Sequence, residues 1–110
     1  HLRPLKAVFS QGCIAATLDE LVAGGAIPVP NHFKIDVDGF EHKVVAGAAQ
    51  TLRNPALRSV LIETNMNLEE HRAMVRELNA LGLKHDPAQV ARAERKSGAF
   101  KGVAEHVFRR

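Results

Sequence analysis

The chain predicts an α/β fold: parallel strands joined by crossover helices, with a sheet that ends in an antiparallel strand pair. Phe33, Ile35 and Val37 alternate with polar residues, the period-two pattern of a strand. Val44, Val45, Ala48, Ala49 and Leu52 then recur on one face at helical spacing. Ser59-Val60-Leu61-Ile62-Glu63-Thr64 is apolar until its polar end, as in a strand buried on both faces. Strand, helix and strand in that order make a parallel crossover unit, for which a right-handed connection is expected.

Before this unit, Leu5-Lys6-Ala7-Val8-Phe9-Ser10 predicts a short strand or an extended lead-in, broken by Gln11-Gly12. Cys13 to Ala16 predicts a second extended piece, with Cys13 a small core residue in its apolar setting. Thr17 and Glu20 have capping-box spacing, and Leu18, Leu21 and Val22 form the apolar side of the helix they start. Gly24-Gly25 ends that helix, and Pro28 and Pro30 prevent its resumption. The central helix is predicted to run to about Arg53, where Asn54-Pro55 stops it. Gly47 within it costs up to ~1 kcal/mol relative to Ala, offset by close packing on the sheet.

After the second strand, Asn67 predicts a cap for a third helix, with Glu70 three residues on. His71, Met74, Val75, Leu78 and Leu81 line one face of it, with His71 expected half-buried or exposed. Gly82 suits the position just past the helix end, and Leu83 the apolar contact beyond it. Gln89 to Ala93 and Val103 to Phe108 predict the closing antiparallel pair, around a turn region at Lys96-Ser97-Gly98-Ala99.

With 110 residues, 45% hydrophobic and 25% charged, the chain is sized and composed for one core. Tyr and Trp are absent, so any stacking surface rests on five Phe and six His. The net charge of +3 is carried by scattered Lys and Arg, so no nucleic-acid partner is expected. Arg92, Arg95, Lys96, Lys101, Arg109 and Arg110 gather toward the C-terminus and read as a solvated face, with contact to an anionic partner as the alternative. A lone cysteine allows no internal disulfide and, with no visible signal peptide, predicts a cytoplasmic location. No apolar run approaches the ~20 residues of a membrane span.

In open α/β sheets ligands bind off the carboxyl ends of the strands. Asp36, Asp38 and Glu41 are predicted at that edge, and the crossover brings Glu63, Thr64 and Asn65 to the same edge. Asp38-Gly39 is a turn signal, and Glu41 falls in the first helical turn, where the dipole favours negative charge. Residue chemistry leaves several roles open. They are a general base, oxygen ligands for a cation such as Mg²⁺, a carboxylate contacting a cofactor, or helix capping by Asp38 and Glu41. No metal is assigned, and His32, at the opposite end of its strand, is left out.

Lys34-Ile35-Asp36-Val37-Asp38-Gly39-Phe40-Glu41, followed by Val44-Val45-Ala46-Gly47-Ala48, resembles the hallmark segment of the FkbM family of S-adenosylmethionine-dependent methyltransferases. Thr17-Leu18-Asp19-Glu20-Leu21 resembles the family's upstream element, and Val60-Leu61-Ile62-Glu63 its next strand. The resemblance implies a Rossmann-like class I methyltransferase sheet of seven strands. The strand before Asp36 would be the fourth, residues 59–64 the fifth, and the C-terminal pair would complete it. It implies S-adenosylmethionine as cofactor and a small-molecule or glycan or lipid hydroxyl as acceptor. Asp36 is then the first choice for catalytic base or acceptor-orienting group. Asp38 and Glu41 are second catalytic choices that shape the pocket or support its loop, and Glu63 and Asn65 are second choices that bind the acceptor. Lys34 belongs to the pattern without an assigned role.

The family's glycine-rich cofactor loop has no counterpart before residue 32, since Gly24-Gly25 closes a helix instead of opening one. The expectation is therefore a single partial domain over 1–110, the C-terminal half of the methyltransferase fold. Its cofactor-binding residues are unassigned, it is inactive in isolation, and its open strand edge favours self-association. One alternative is a non-catalytic remnant α/β module that needs a partner chain. Another is a haloacid-dehalogenase-like phosphatase, which Asp36-Val37-Asp38-Gly39 also resembles; it expects threonine where Phe40 stands and a later acidic pair where Asp86 stands alone.

Overall fold

β1 (His32–Ile35) and β2 (Ser59–Asn65) lie parallel, paired from His32 beside Ser59 to Ile35 beside Ile62, as the crossover pattern predicts. The computed structural model describes Pro4 and residues 6–110. In chain order the remaining elements are α1 (Leu18–Ala23), α2 (Glu41–Ala46), a 3₁₀ turn (Thr51–Arg53), α3 (Glu69–Ala80), β3 (Lys84–His85), α4 (Pro87–Ala93) and β4 (Val103–Arg109). The sheet has four strands in the order β1-β2-β4-β3, with β4 antiparallel to both its neighbours. The fold is a mixed α/β arrangement.

Four local expectations are corrected. Residues 6–16 form neither strand nor helix, and Cys13 is exposed, as are Val8, Phe9 and Ile14, so Cys13 is not a core residue. Leu5 lies outside the described residues.

The central helix ends at Ala46, well short of Arg53. Gly47 caps it, and a side chain there would meet Thr17 Cβ and Cγ2 at 3.0 Å. The glycine thus admits α1, not the sheet, and its carbonyl accepts from the Asp19 N–H at 3.0 Å. The Asp19 carboxylate in turn accepts from the N–H groups of Gln50 (2.9 Å) and Thr51 (2.8 Å) and from the Thr51 hydroxyl (2.6 Å). Burial alone would raise the Asp19 carboxyl, but these bonds outweigh it and hold the group below its ordinary value. The capping box itself forms, with Thr17 Oγ1 accepting from the Glu20 N–H at 3.1 Å.

α3 begins without the Asn67 cap: Leu68 precedes it with no side-chain bond. Asn67 instead donates its Nδ2 to the Lys101 carbonyl at 2.9 Å. The far end follows the expected pattern. The Gly82 N–H donates to Asn79 O (3.1 Å) and the Leu83 N–H to Leu78 O (3.0 Å), and Leu83 is buried.

The predicted strand over 89–93 is the helix α4, started by Asp86, which accepts from the Ala88 N–H at 3.0 Å, and by Pro87 in the first turn. On the side away from β2, β4 pairs with β3, which reaches only Phe108 and Arg109. Past the end of β3, the Gln89 amide stands in for a strand. It accepts from the Val107 N–H (3.2 Å) and donates to Glu105 O (2.9 Å).

The core joins Ile35, Val60, Ile62 and Phe108 of the sheet to Val45, Ala48, Leu52, Met74, Leu78 and their neighbours on α2, the 3₁₀ turn and α3. Thr64 and His106 pair within it. Arg110 is exposed, as the solvated-face reading expects, and also bonds the backbone of separate elements. Its Nε donates to Leu57 O (2.7 Å), its Nη1 to Leu81 O (3.0 Å), and its Nη2 to Leu52 O. β1 is an edge strand of the sheet, with Lys34 exposed on it, a charge of the kind that blunts an open edge.

Candidate active site

β1 stops at Ile35, so Asp36 and Val37 leave the ladder just where the parallel register would place Asp36 beside Glu63. The chain then turns tightly. Asp38 sits in the left-handed region at φ 54° and Gly39 at φ 105°. A non-glycine residue with positive φ is uncommon, and Asp tolerates it better than most. The turn is held from within by Glu41, which is only 2% exposed. Its Oε1 accepts from the Val37 N–H (3.1 Å) and its Oε2 from the Gly39 N–H (2.9 Å).

His71 completes the support. It is buried, which corrects the expectation of a half-buried or exposed side chain. Its Nδ1 accepts from the Asn65 N–H at 3.0 Å. That leaves the ring proton on Nε2, which faces the Gly39 carbonyl at 3.3 Å and Glu41 Oε2 at 3.6 Å. One neutral imidazole therefore ties the loop after β1 to the end of β2. The sequence carried a signal for its burial alone, because His71 shares the apolar face of Met74, Val75 and Leu78.

Asp36, Asp38, Glu41, Glu63 and Asn65 all line one hollow of about 520 Å³ at the carboxyl ends of the parallel strands. The five residues singled out from sequence are thus brought together. Their roles differ in kind, since both Glu41 oxygens are engaged by the loop. The Glu63 carboxyl is pushed above its ordinary value, first by burial, then by its hydrogen bond with Asp36 and that residue's charge, with Arg95 opposing. The facing Asp36 thus disfavours a second negative charge on Glu63.

Two further wall residues, Arg95 and Phe100, were not singled out as site residues. The Arg95 guanidinium lies 5.3 Å from the centre of the Phe100 ring and its Nη2 is 3.8 Å from Glu63 Oε1. They come from the loop before β4, and nothing in their local sequence pattern places them at the ends of β1 and β2. Among the described residues, no three His, Cys, Asp or Glu side chains are gathered so as to hold a metal ion. Asp86, which stood alone as a later acidic residue, is spent on capping α4.

A mixed α/β sheet with a carboxylate-lined hollow off its parallel strand ends is the arrangement of an α/β ligand-binding or catalytic domain. The family model for the methyltransferase FkbM domain matches residues 13–84, well over half of the chain. The chain belongs to the FkbM methyltransferase family. Comparison with curated proteins and with solved structures gives no match. No helix among the described residues is long and apolar enough to cross a membrane.

Proposed function

We propose that these residues form the acceptor-facing half of an S-adenosylmethionine-dependent O-methyltransferase domain. On this reading β1 and β2 correspond to the fourth and fifth strands of a Rossmann-like sheet, and β3 and β4 complete it. The observation that carries it is the Asp36–Glu63 carboxyl pair at the ends of two adjacent parallel strands, within a family of methyltransferases.

The residues suit one end of the cofactor. A sulfonium is cationic, and an acidic wall beside the Asp38-Gly39 turn lets backbone and carboxylates come close to it. When bound, S-adenosylmethionine supplies an electrophilic methyl group. The chain's own part is to bind the acceptor, orient its hydroxyl oxygen and take the proton that oxygen loses. Asp36 is placed to take that proton. Glu63 faces Asp36 in the same hollow. Glu41 and His71 are positioning residues that hold the loop, while Asp38 and Asn65 line the hollow where the acceptor lies.

The test is turnover of the complete methyltransferase domain carrying Asp36→Asn. The expected result is a fall in kcat of about 100-fold or more, the usual worth of a general base, with cofactor affinity kept. Unchanged turnover removes Asp36 from the mechanism.

A further inference from the structure

The loop between α4 and β4 is closed at its neck and presents cations beside the hollow. The Arg95 N–H donates to Val103 O and the Gly102 N–H donates to Arg95 O, both at 3.0 Å. Asn67 pins the Lys101 carbonyl from outside at 2.9 Å. The loop so held borders a second hollow, of about 490 Å³, to which it contributes Arg95, Lys96 and Lys101 against one carboxylate, Glu94. Lys96 hydrogen-bonds Glu94, and with the added charge of Lys101 it holds that carboxyl below its ordinary value, so the cations act on one small region. The three cations exceed Glu94 by two charges.

Arg95 lines both hollows. At 3.8 Å its contact with Glu63 is longer than a charge-assisted hydrogen bond, so the guanidinium fork is not consumed there. Its plane is steadied by the Phe100 ring. The combined space is therefore polarised, with carboxylates at the strand ends and an anchored cationic rim on the loop. An acceptor bearing an anionic group would be repelled by the first and drawn to the second, which orients it.

We propose that Arg95, Lys96 and Lys101 form a subsite for an anionic group, a phosphate or a carboxylate, carried by the acceptor. This rests on the acceptor-site reading above and names the substrate class. The guanidinium supplies the bidentate fork that such groups favour, and the lysines add charge.

The test is titration of the ¹⁵N-labelled chain with inorganic phosphate and with acetate, following backbone amides, with sodium chloride at matched ionic strength as control. The expected result is saturable shifts confined to residues 94–102. Arg95→Gln weakens binding by about tenfold, the loss of one strong charge-assisted contact. The Lys96→Gln/Lys101→Gln double variant, which leaves the neighbour of Glu63 in place, also weakens it and decides the matter should Arg95→Gln fail to fold. Tighter phosphate than acetate binding points to a phosphorylated acceptor, and the reverse to a carboxylate. Drifts that sodium chloride reproduces, or binding unchanged in a folded variant, overturn the proposal. The readout needs no methyl transfer. An inactive role for Asp36 would leave these shifts in place, and their absence would leave the Asp36→Asn result standing.

Discussion

Glu63 shows how one side chain couples the site to stability. Its carboxyl lies above the ordinary value of 4.5 because burial and the facing Asp36 both disfavour its charge. A raised carboxyl in the folded state favours folding fully below the unfolded value and loses that contribution as pH rises through the folded value. At pH 7 the ionised pair is therefore a burden on the fold. Glu63→Gln should raise the midpoint of urea unfolding at pH 7, and the gain should vanish near pH 4. A gain that persists at pH 4 would mean the two carboxyls do not interact. The ion pair lost with Arg95 is long and partly exposed, so it offsets little. Asp19 has the opposite sign. Its carboxyl is held low by Thr51 and Gln50, so its contribution is present at neutral pH and fades as pH falls below the ordinary 3.8. Both acids lie in segments that resemble the family's pattern, yet one is at the hollow and the other is a brace between α1 and the 3₁₀ turn.

Among the elements, the loop before β4 departs furthest from its expected shape. The sequence predicts a strand pair on either side of a Lys96-Ser97-Gly98-Ala99 turn. Asp86-Pro87 was the overlooked signal, a cap followed by a residue preset for the first helical turn. With α4 a helix, the following loop is free to reach the strand ends and deliver Arg95 and Phe100 to the hollow. Gly102 closes that loop. It sits at φ 87°, and a Cβ there would come within 2.8 Å of Asn67 Nδ2. Gly102→Ala should therefore cost about 1–3 kcal/mol, from left-handed strain and displacement of the Asn67 contact. Chemical denaturation measures the cost, and an unchanged midpoint would show that the neck is not held as described. Gly47 has a different reason for being glycine, the close approach of Thr17. Sequence reading found the residue but assigned the wrong neighbour, since helix α1 and the central helix are far apart along the chain.

At the scale of the whole molecule, Arg110 ties the C-terminus to the ends of separate elements by donating to Leu52, Leu57 and Leu81 carbonyls. Arg110→Met should destabilise the chain by about 1–2 kcal/mol, because the part-buried Leu52 and Leu57 carbonyls lose a charged donor. A loss below about 0.5 kcal/mol, the usual range for a surface change, would show that these bonds contribute little to stability. The parallel crossover, the capping box on Thr17 and the carboxylates at the strand ends were legible in the sequence, because each rests on local spacing or on one βαβ unit. The family segment was legible for the same reason, being nearly continuous from Lys34 to Ala48. Local order could not reveal that Glu41 turns inward to hold Val37 and Gly39, or that His71 bridges the loop and β2. Nor could it place Arg95 opposite the acidic end, or Arg110 among the carbonyls. Each of these depends on contacts between residues distant in sequence, whose burial and partners are set by packing. The sequence by itself determined which groups stand at the ends of the parallel strands. Tertiary packing decided which of them stay open to a ligand, because a carboxylate that is buried and held by backbone amides, as Glu41 is, faces the loop and not a ligand.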